Sequence, residues 1–423
     1  MTGFHMVYLL MISASIACIY LYDIRRVGAH EKVCFVALFI RYVVVAGLRY
    51  RIGTDSIMYE RVFGQESPVW SIRWDEMSQR RFDIGYIVFS SVIRSFTSDF
   101  MWLQLVHAII VNSVVFMYAR RNTAYPYTVI GIYLVVCYIF FMSEQMRQSM
   151  AVAVFLLAWP SYLRGDNKRY LLMVAVATLF HISALVLALL PLATAKPVEK
   201  FFRPTYAALA ACVVLMACGW IWATYYERIT SCLPDSMSAR LLTYADDEGG
   251  LIHRLNCKGS SVYLCRTALW AFAALVVSRM SAVRNEDKSG SALVAMTMCY
   301  IYASVVGSQM PMMARLSDYC VIFAITVAAR AIYSGEMEWR RYTVPGRACA
   351  MLILVLTAAH ATVYFVATGP DRGMRAYATY YPYTWRMRPV RNPERERLME
   401  YYVGAECADE SSCITQEQNT ETI

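Results

Sequence analysis

The stretch VCFVALFIRYVVVAGLRYRIGTD, residues 33–55, decides the fold because an almost wholly apolar run ends abruptly in a charged turn. A helix that crosses a bilayer needs roughly 20 mostly apolar residues, and polar residues gather where it leaves the membrane. The stretch therefore predicts a membrane helix that delivers Arg49, Arg51 and Asp55 to a membrane surface. Cations beside a carboxylate at such a surface suit an anionic, phosphorylated ligand.

Similar apolar blocks recur along nearly all of the 423 residues, of which 58% are hydrophobic and only 17% charged. Soluble domains carry about 25% charged residues. We predict an all-α, polytopic integral membrane helical bundle of about 11–13 membrane segments, with short re-entrant or interfacial helices and extracytoplasmic loops. Residues 1–368 would form one transmembrane domain with outer loops at about 49–83 and 227–261, and residues 369–423 an extracytoplasmic tail with a disordered end.

The net charge of +9 arises largely from arginines and lysines between the apolar blocks, where they orient helices, so no nucleic-acid partner is expected. The positive-inside rule places the basic loops at residues 23–32, 120–121 and 164–169 in the cytoplasm. The segment from Arg49 to Arg81 then lies outside, although it is rich in arginine. These outer arginines either bind a ligand or pair with neighbouring carboxylates.

Two segments leave alternatives open. Residues 82–96 are short for a span and contain Arg94, which favours a re-entrant or interfacial helix at least as much as a full crossing. Residues 171–190 carry His181 in the middle and basic residues on both flanks. They either bend near Phe180 and His181 into two short helices, or form one tilted helix.

Four groups of polar residues converge on the predicted outer face. Ionisable groups beside membrane spans are costly to bury, which makes each group a candidate site. The groups are Arg49, Arg51 and Asp55; Arg147 with Gln148; His181; and Arg315 with Asp318 and Tyr319. Structural alternatives exist for the last three groups: Arg147 could snorkel, His181 could join two helices, and Arg315 could pair with Asp318.

A lipid-linked sugar diphosphate fits this arrangement. Its diphosphate sits at the membrane surface, its lipid lies between helices, and its sugar reaches loops where aromatic rings can stack on it. The diphosphate is already an activated leaving group, and the sequence contains neither GxxxxGK[ST] nor GxGxxG, so no nucleotide is expected. The thirteen cysteines form no CxxC pair or His/Cys cluster, and we expect neither a metal nor another cofactor.

At these residues the chain resembles the EpsG/Wzy-type family of bacterial surface-polysaccharide polymerases. The resemblance rests on short motifs in a common order along the chain. They are Leu48-Arg49 with Gly53-Thr54-Asp55 and Tyr59; Gly85-Tyr86; Arg147-Gln148; Phe180-His181-Ile182-Ser183-Ala184; Ala314-Arg315-Leu316 with Tyr319; and Tyr381-Pro382-Tyr383. One departure is the carboxylate before the Gly-Tyr pair, which here is Asp83, two residues before Gly85.

The resemblance implies a multi-pass polymerase of the bacterial inner membrane whose active site faces the periplasm. It would join undecaprenyl-diphosphate-linked donor and acceptor glycans among membrane lipids, alongside flippase and chain-length regulator proteins. Asp55, His181 and Arg147 are the predicted catalytic residues, with Asp55 or His181 as the base. The predicted substrate-binding residues are Arg49, Arg51, Tyr59, Tyr86, Gln148, Arg315 and Tyr319.

Three other functions remain compatible with the same residues. A flippase or exporter of lipid-linked sugars would also use arginines. A membrane acyltransferase would use His181 to decorate the polysaccharide. A non-enzymatic assembly or chain-length partner would tolerate loss of the individual arginines.

Overall fold

A computed structural model of the chain describes residues 6–74, 82–193, 288–307, 311–333 and 376–399. These ranges are mostly helical, and extended pairing within them is limited to isolated bridges at Trp385. The all-α membrane fold is thereby confirmed. The predicted loop at 227–261 and the predicted disordered end of the tail lie outside the described residues.

Between Ile84 and Ala193 the helices follow one another with connections of a few residues. We number them in chain order: α1 Met6–Cys18, α2 Glu31–Gly47, α3 Ser56–Gln65, α4 Ile84–Arg94, α5 Phe100–Asn122, α6 Pro126–Tyr133, α7 Ile139–Ser143, α8 Met146–Arg164, α9 Asn167–Phe180, α10 Leu190–Ala193, α11 Lys288–Gly307 and α12 Pro311–Tyr333. Wider π-type turns at Ile19–Ile24 and Leu134–Tyr138 extend α1 and join α6 to α7.

Three of the described helical stretches are long and apolar enough to cross a membrane: Met6–Ile24, Phe100–Asn122 and Pro126–Ser143. Their ends are set by local chemistry. The Asp99 side chain accepts a hydrogen bond from the Met101 amide at 3.0 Å and caps α5. Pro126 occupies the first turn of α6, where its missing N–H costs nothing.

The bundle has two chemically different ends. One end, which we call the site end, contains residues 48–55, 144–148, 181 and 315. At the other end, which we call the opposite end, buried Asp23 accepts from the amide and hydroxyl of Thr128 at 2.6 and 2.7 Å. Arg120 pairs there with Glu31 at 3.1 Å.

The predicted cytoplasmic loops at residues 23–32 and 120–121 meet at the opposite end, where Arg26 donates to the Ala124 carbonyl. The loop at 164–169 follows α8, which begins at the site end, so these helix directions agree with the charge pattern.

The segment around His181 is a hairpin. α9 ends at Phe180, His181 is extended, and a short 3-10 helix runs from Ile182 to Leu189. The Tyr170 hydroxyl donates to the Leu187 carbonyl at 2.7 Å, which requires the second arm to run back beside α9. Of the two sequence alternatives, the structure has the bent one, with His181 at the tip.

The α4 helix is short, and it packs closely on the hairpin. Its 11 residues span about 16 Å, roughly half the thickness of a bilayer core. A Cβ atom placed on Gly85 would lie 2.8 Å from both the carbonyl carbon and oxygen of Leu179. Glycine therefore permits α4 to approach the hairpin tip, and the helix is too short to cross the membrane alone.

Candidate functional site

The first turn of α8 is central to the site, because its successive side chains contact different elements. Arg147 Nη1 donates to Asp83 Oδ2 at 3.2 Å, and the guanidinium lies 4.4 Å from the Phe82 ring centroid. Gln148 Nε2 donates to the Arg315 carbonyl and, at 3.0 Å, to Asp318 Oδ2. One helical turn thus connects the loop before α4 with α12.

Arg315 is held from the hairpin side. Its Nη1 lies 3.1 Å from His181 Nε2, and since a guanidinium can only donate, Nε2 must accept. The Nδ1 atom lies 2.6 Å from Ser183 Oγ and 3.3 Å from the Ser183 amide nitrogen. Ser183 Oγ in turn lies 3.0 Å from the Tyr319 hydroxyl. Both ring nitrogens of His181 are therefore engaged, and the imidazole orients Arg315.

Tyr59 lies within electrostatic range of both Arg147 and Arg315. It is buried in α3, its hydroxyl donates to the Glu144 carbonyl at 3.2 Å, and Arg147 is within hydrogen-bonding range of the same oxygen. Burial raises the pKa of Tyr59, while the positive charges of Arg147 and Arg315 act in the opposite direction. Both guanidinium groups are therefore close enough to influence one phenol oxygen.

The Gly-Thr-Asp turn is tied to the connection between α7 and α8. Gly53 has φ +95°, and a Cβ there would meet the Ser143 side chain at 2.5 Å, so this close contact requires glycine. Glu144 Oε1 accepts from the Thr54 amide at 3.2 Å, from the Thr54 hydroxyl at 2.9 Å, and from the Tyr380 hydroxyl. This arrangement holds half-buried Asp55 at the start of α3.

Arg49 and Tyr86 lie beneath this surface. Arg49 is 4% exposed, and it donates to the Ala46 carbonyl and, at 3.5 Å, to Met146 Sδ. Burial lowers the pKa of its guanidinium to about 10, which leaves it charged at neutral pH. Tyr86 is also buried, and its ring centroid is 5.7 Å from that of Tyr59. Both residues form the floor of the site.

Arg51 points away from this group. It pairs with Glu60 at 3.1 Å and with Glu396 at 3.0 Å. With Arg49, Arg386 and Tyr50 it lines an open cleft of about 210 Å³ on the side of the C-terminal segment. The structure thus brings together Arg49, Tyr59, Tyr86, Arg147, Gln148, His181, Arg315 and Tyr319, with Asp55 at the rim and Arg51 set apart.

Sequence reasoning gave no role to several carboxylates of the site. Asp83, which departs from the family pattern, is the partner of Arg147. Glu144 is absent from the predicted site residues, although a carboxylate between two spans is itself a signal. In the described ranges, no group of three metal-ligating side chains lies together.

Fold and site define a polytopic helical membrane protein with an arginine-rich polar centre at one end of its bundle. The chain belongs to the EpsG family, whose model matches residues 32–385. EpsG is a family of Wzy-type polysaccharide polymerases, which gives the protein a polysaccharide polymerase-type role in a membrane. The family predicted from the sequence is therefore confirmed. Comparisons with curated proteins and with solved structures find no match.

Proposed function

We propose that the protein joins undecaprenyl-diphosphate-linked oligosaccharide repeat units into a surface polysaccharide at the periplasmic face of the bacterial inner membrane. The observation that carries the proposal is the pairing of Arg147 and Arg315 at the site end, where Gln148, the residue after Arg147, donates to the Arg315 carbonyl. Two guanidinium forks at a membrane surface match a diphosphate, because each can donate two parallel hydrogen bonds to phosphate oxygens. Family membership supports the polymerase part of the proposal.

In the proposed reaction a hydroxyl oxygen of the acceptor sugar attacks the anomeric carbon of the donor. The bond from that carbon to the lipid diphosphate breaks, and the diphosphate leaves with the bonding electrons. Arg147 and Arg315 stabilise the negative charge that develops on the leaving group. The hydroxyl proton passes to a carboxylate, so the reaction needs no nucleotide or redox partner.

We assign the base to Asp55 rather than His181. Both nitrogens of His181 are engaged by Arg315 and Ser183, so the ring orients the Arg315 cation and is not positioned to accept a proton. Asp55 is half-buried at the first turn of α3, where the helix dipole favours its ionised form. Gln148 and Tyr319 hold α12 and the hairpin, and Tyr59 and Tyr86 shape the wall and floor of the sugar groove.

A gel of lipid-linked glycans from deletion and complemented cells tests the proposal. Deletion is expected to leave single repeat units on lipid in the periplasmic leaflet and to abolish long chains. Repeat units trapped on the cytoplasmic side would instead indicate a flippase, and unchanged chain length with a missing acyl group would indicate an acyltransferase. Normal polymer in the deletion strain would end the proposal.

Arg147→Ala tests the site itself. Loss of one group that stabilises transition-state charge costs roughly 10²- to 10³-fold in rate, so long chains are expected to disappear. Arg164→Ala is the matched control, because Arg164 is exposed at the other end of the same helix. Equal chain lengths in the two variants, at equal protein levels, would remove Arg147 from the mechanism.

A further inference from the structure

Residues 376–399, which we call the C-terminal strap, lie along the same charged stretch that ends α2. The Tyr50 amide donates to the Thr384 carbonyl at 2.8 Å, the Gly53 amide to the Thr379 carbonyl at 3.0 Å, and the Arg386 amide to the Leu48 carbonyl at 2.9 Å. These backbone bonds join segments more than 300 residues apart in sequence. The strap thus supplies partners that the turn after α2 lacks on its own.

Arg395 fastens the strap. Its side chain is buried, with the residue only 2% exposed, and its Nε donates to the Ala378 carbonyl at 3.0 Å. Nη1 donates to the Thr384 hydroxyl at 2.6 Å and to the Arg51 carbonyl at 3.3 Å, and Nη2 donates to the Pro382 carbonyl. One guanidinium therefore ties the end of the strap to its beginning and to the turn after α2.

The contacts continue from the strap into the site. The Tyr380 hydroxyl donates to Glu144 Oε1, the oxygen that also accepts from Thr54. The Tyr380 ring packs on Phe140 with the centroids 5.9 Å apart. Glu144 lies three residues before Arg147, so this carboxylate couples the strap both to the Asp55 turn and to the start of α8.

We propose that Arg395 and Glu144 are positioning residues, which hold the strap across the turn and thereby set Asp55 and Arg147 for the reaction. Arg395 acts through the strap loop and Tyr380, and Glu144 acts through Thr54. Arg395 lies ten residues beyond the matched family range, which ends at 385, so the family match does not account for it. The effect on polymer rests on the proposed function, whereas the attachment of the strap does not.

The first test compares polymer length in Arg395→Ala, Arg395→Lys and Arg397→Ala at equal protein levels. Arg395→Ala is expected to lose long chains, and lysine to restore little, because a single ammonium cannot serve acceptors spread around a planar fork. Arg397 is exposed on the same short segment and is the matched control, with normal polymer expected. Normal polymer in Arg395→Ala would overturn the proposal.

Tyr380→Phe separates positioning from folding, since it removes one hydroxyl and keeps the ring packed on Phe140. It is expected to shorten chains without lowering the protein level. Unchanged chain length with Tyr380→Phe would show that Arg395 does not act through Tyr380.

The second test reports on the strap without using polymer. Ala378→Cys is placed on the buried Ala378 and treated with a polar maleimide in the purified protein in lipid nanodiscs. Alkylation is expected to be several-fold faster with Arg395→Ala than with Arg397→Ala. Equal rates would overturn the attachment, even if the polymer assay failed because the protein has another function. Faster alkylation with normal polymer would show that the strap opens but positions nothing.

Discussion

At the scale of single residues, the site holds its two principal cations in different ways. Arg147 pairs with a carboxylate, Asp83, and lies over an aromatic ring. Arg315 donates to an imidazole that carries no charge of its own in this arrangement. A neutral acceptor orients a guanidinium without itself neutralising the charge, and the nearby Asp318 carboxylate accepts a hydrogen bond from Gln148. The geometry therefore indicates that His181 orients the Arg315 side chain.

His181→Gln tests that role against the alternative of a base. The glutamine amide oxygen can still accept from Arg315, so polymer length is expected to stay near normal. His181→Ala loses a hydrogen bond to a charged group worth about 1.5–3 kcal/mol, or roughly 10- to 150-fold in rate. Chain-length gels at equal protein levels make the comparison. If His181→Gln is as inactive as His181→Ala, the imidazole has a chemical role that an amide cannot perform.

At the scale of elements, the contact between α4 and the hairpin depends on one missing side chain. Gly85→Ala would place a methyl group 2.8 Å from the Leu179 backbone, which cannot turn aside as a side chain can. Overpacking of this kind costs about 1–3 kcal/mol. The variant is expected to melt at a lower temperature in detergent and to make shorter chains, because the hairpin tip carries His181.

Gly64→Ala provides the control for this substitution. Gly64 lies in the last turn of α3, and a Cβ there meets nothing within 4 Å. Alanine in a helix is favoured over glycine by roughly 0.5–1 kcal/mol, so the melting temperature should stay the same or rise. A fall in melting temperature of equal size in both variants would show that the contact at Gly85 is not the cause.

The sequence could predict the elements but not how they meet. The break at His181 could be predicted as one of two alternatives, because basic residues flank both sides of an apolar segment with a polar centre. The hydrogen bonds of Glu144 could not be predicted, since its partners Thr54 and Tyr380 are separated from it by 90 and 236 residues. The pairing of Arg51 with Glu396 spans 345 residues and likewise depends on the folded bundle. Long-range polar contacts leave no periodic signal that local reasoning could use.

At the scale of the whole molecule, the loops that contact one another agree with one charge-based orientation. The loops at Asp23 and Arg120 meet at the opposite end, while Asp55, Arg147 and the strap meet at the site end. The structure gives these relative positions, and the positive-inside rule assigns the opposite end to the cytoplasmic side of the membrane. The proposed reaction requires the site end to be periplasmic, because long chains of polysaccharide are assembled there in this scheme.

Cysteine labelling in intact cells tests this orientation. Gln65→Cys is placed on exposed Gln65 at the site end, and Lys168→Cys on exposed Lys168 at the opposite end. A maleimide that passes the outer membrane but not the inner one is expected to label the first variant, and the second only after permeabilisation. The parent protein, with its thirteen native cysteines, supplies the background. The reverse pattern would put Asp55, Arg147 and Arg315 in the cytoplasm, where a lipid-linked acceptor on the periplasmic leaflet could not reach them.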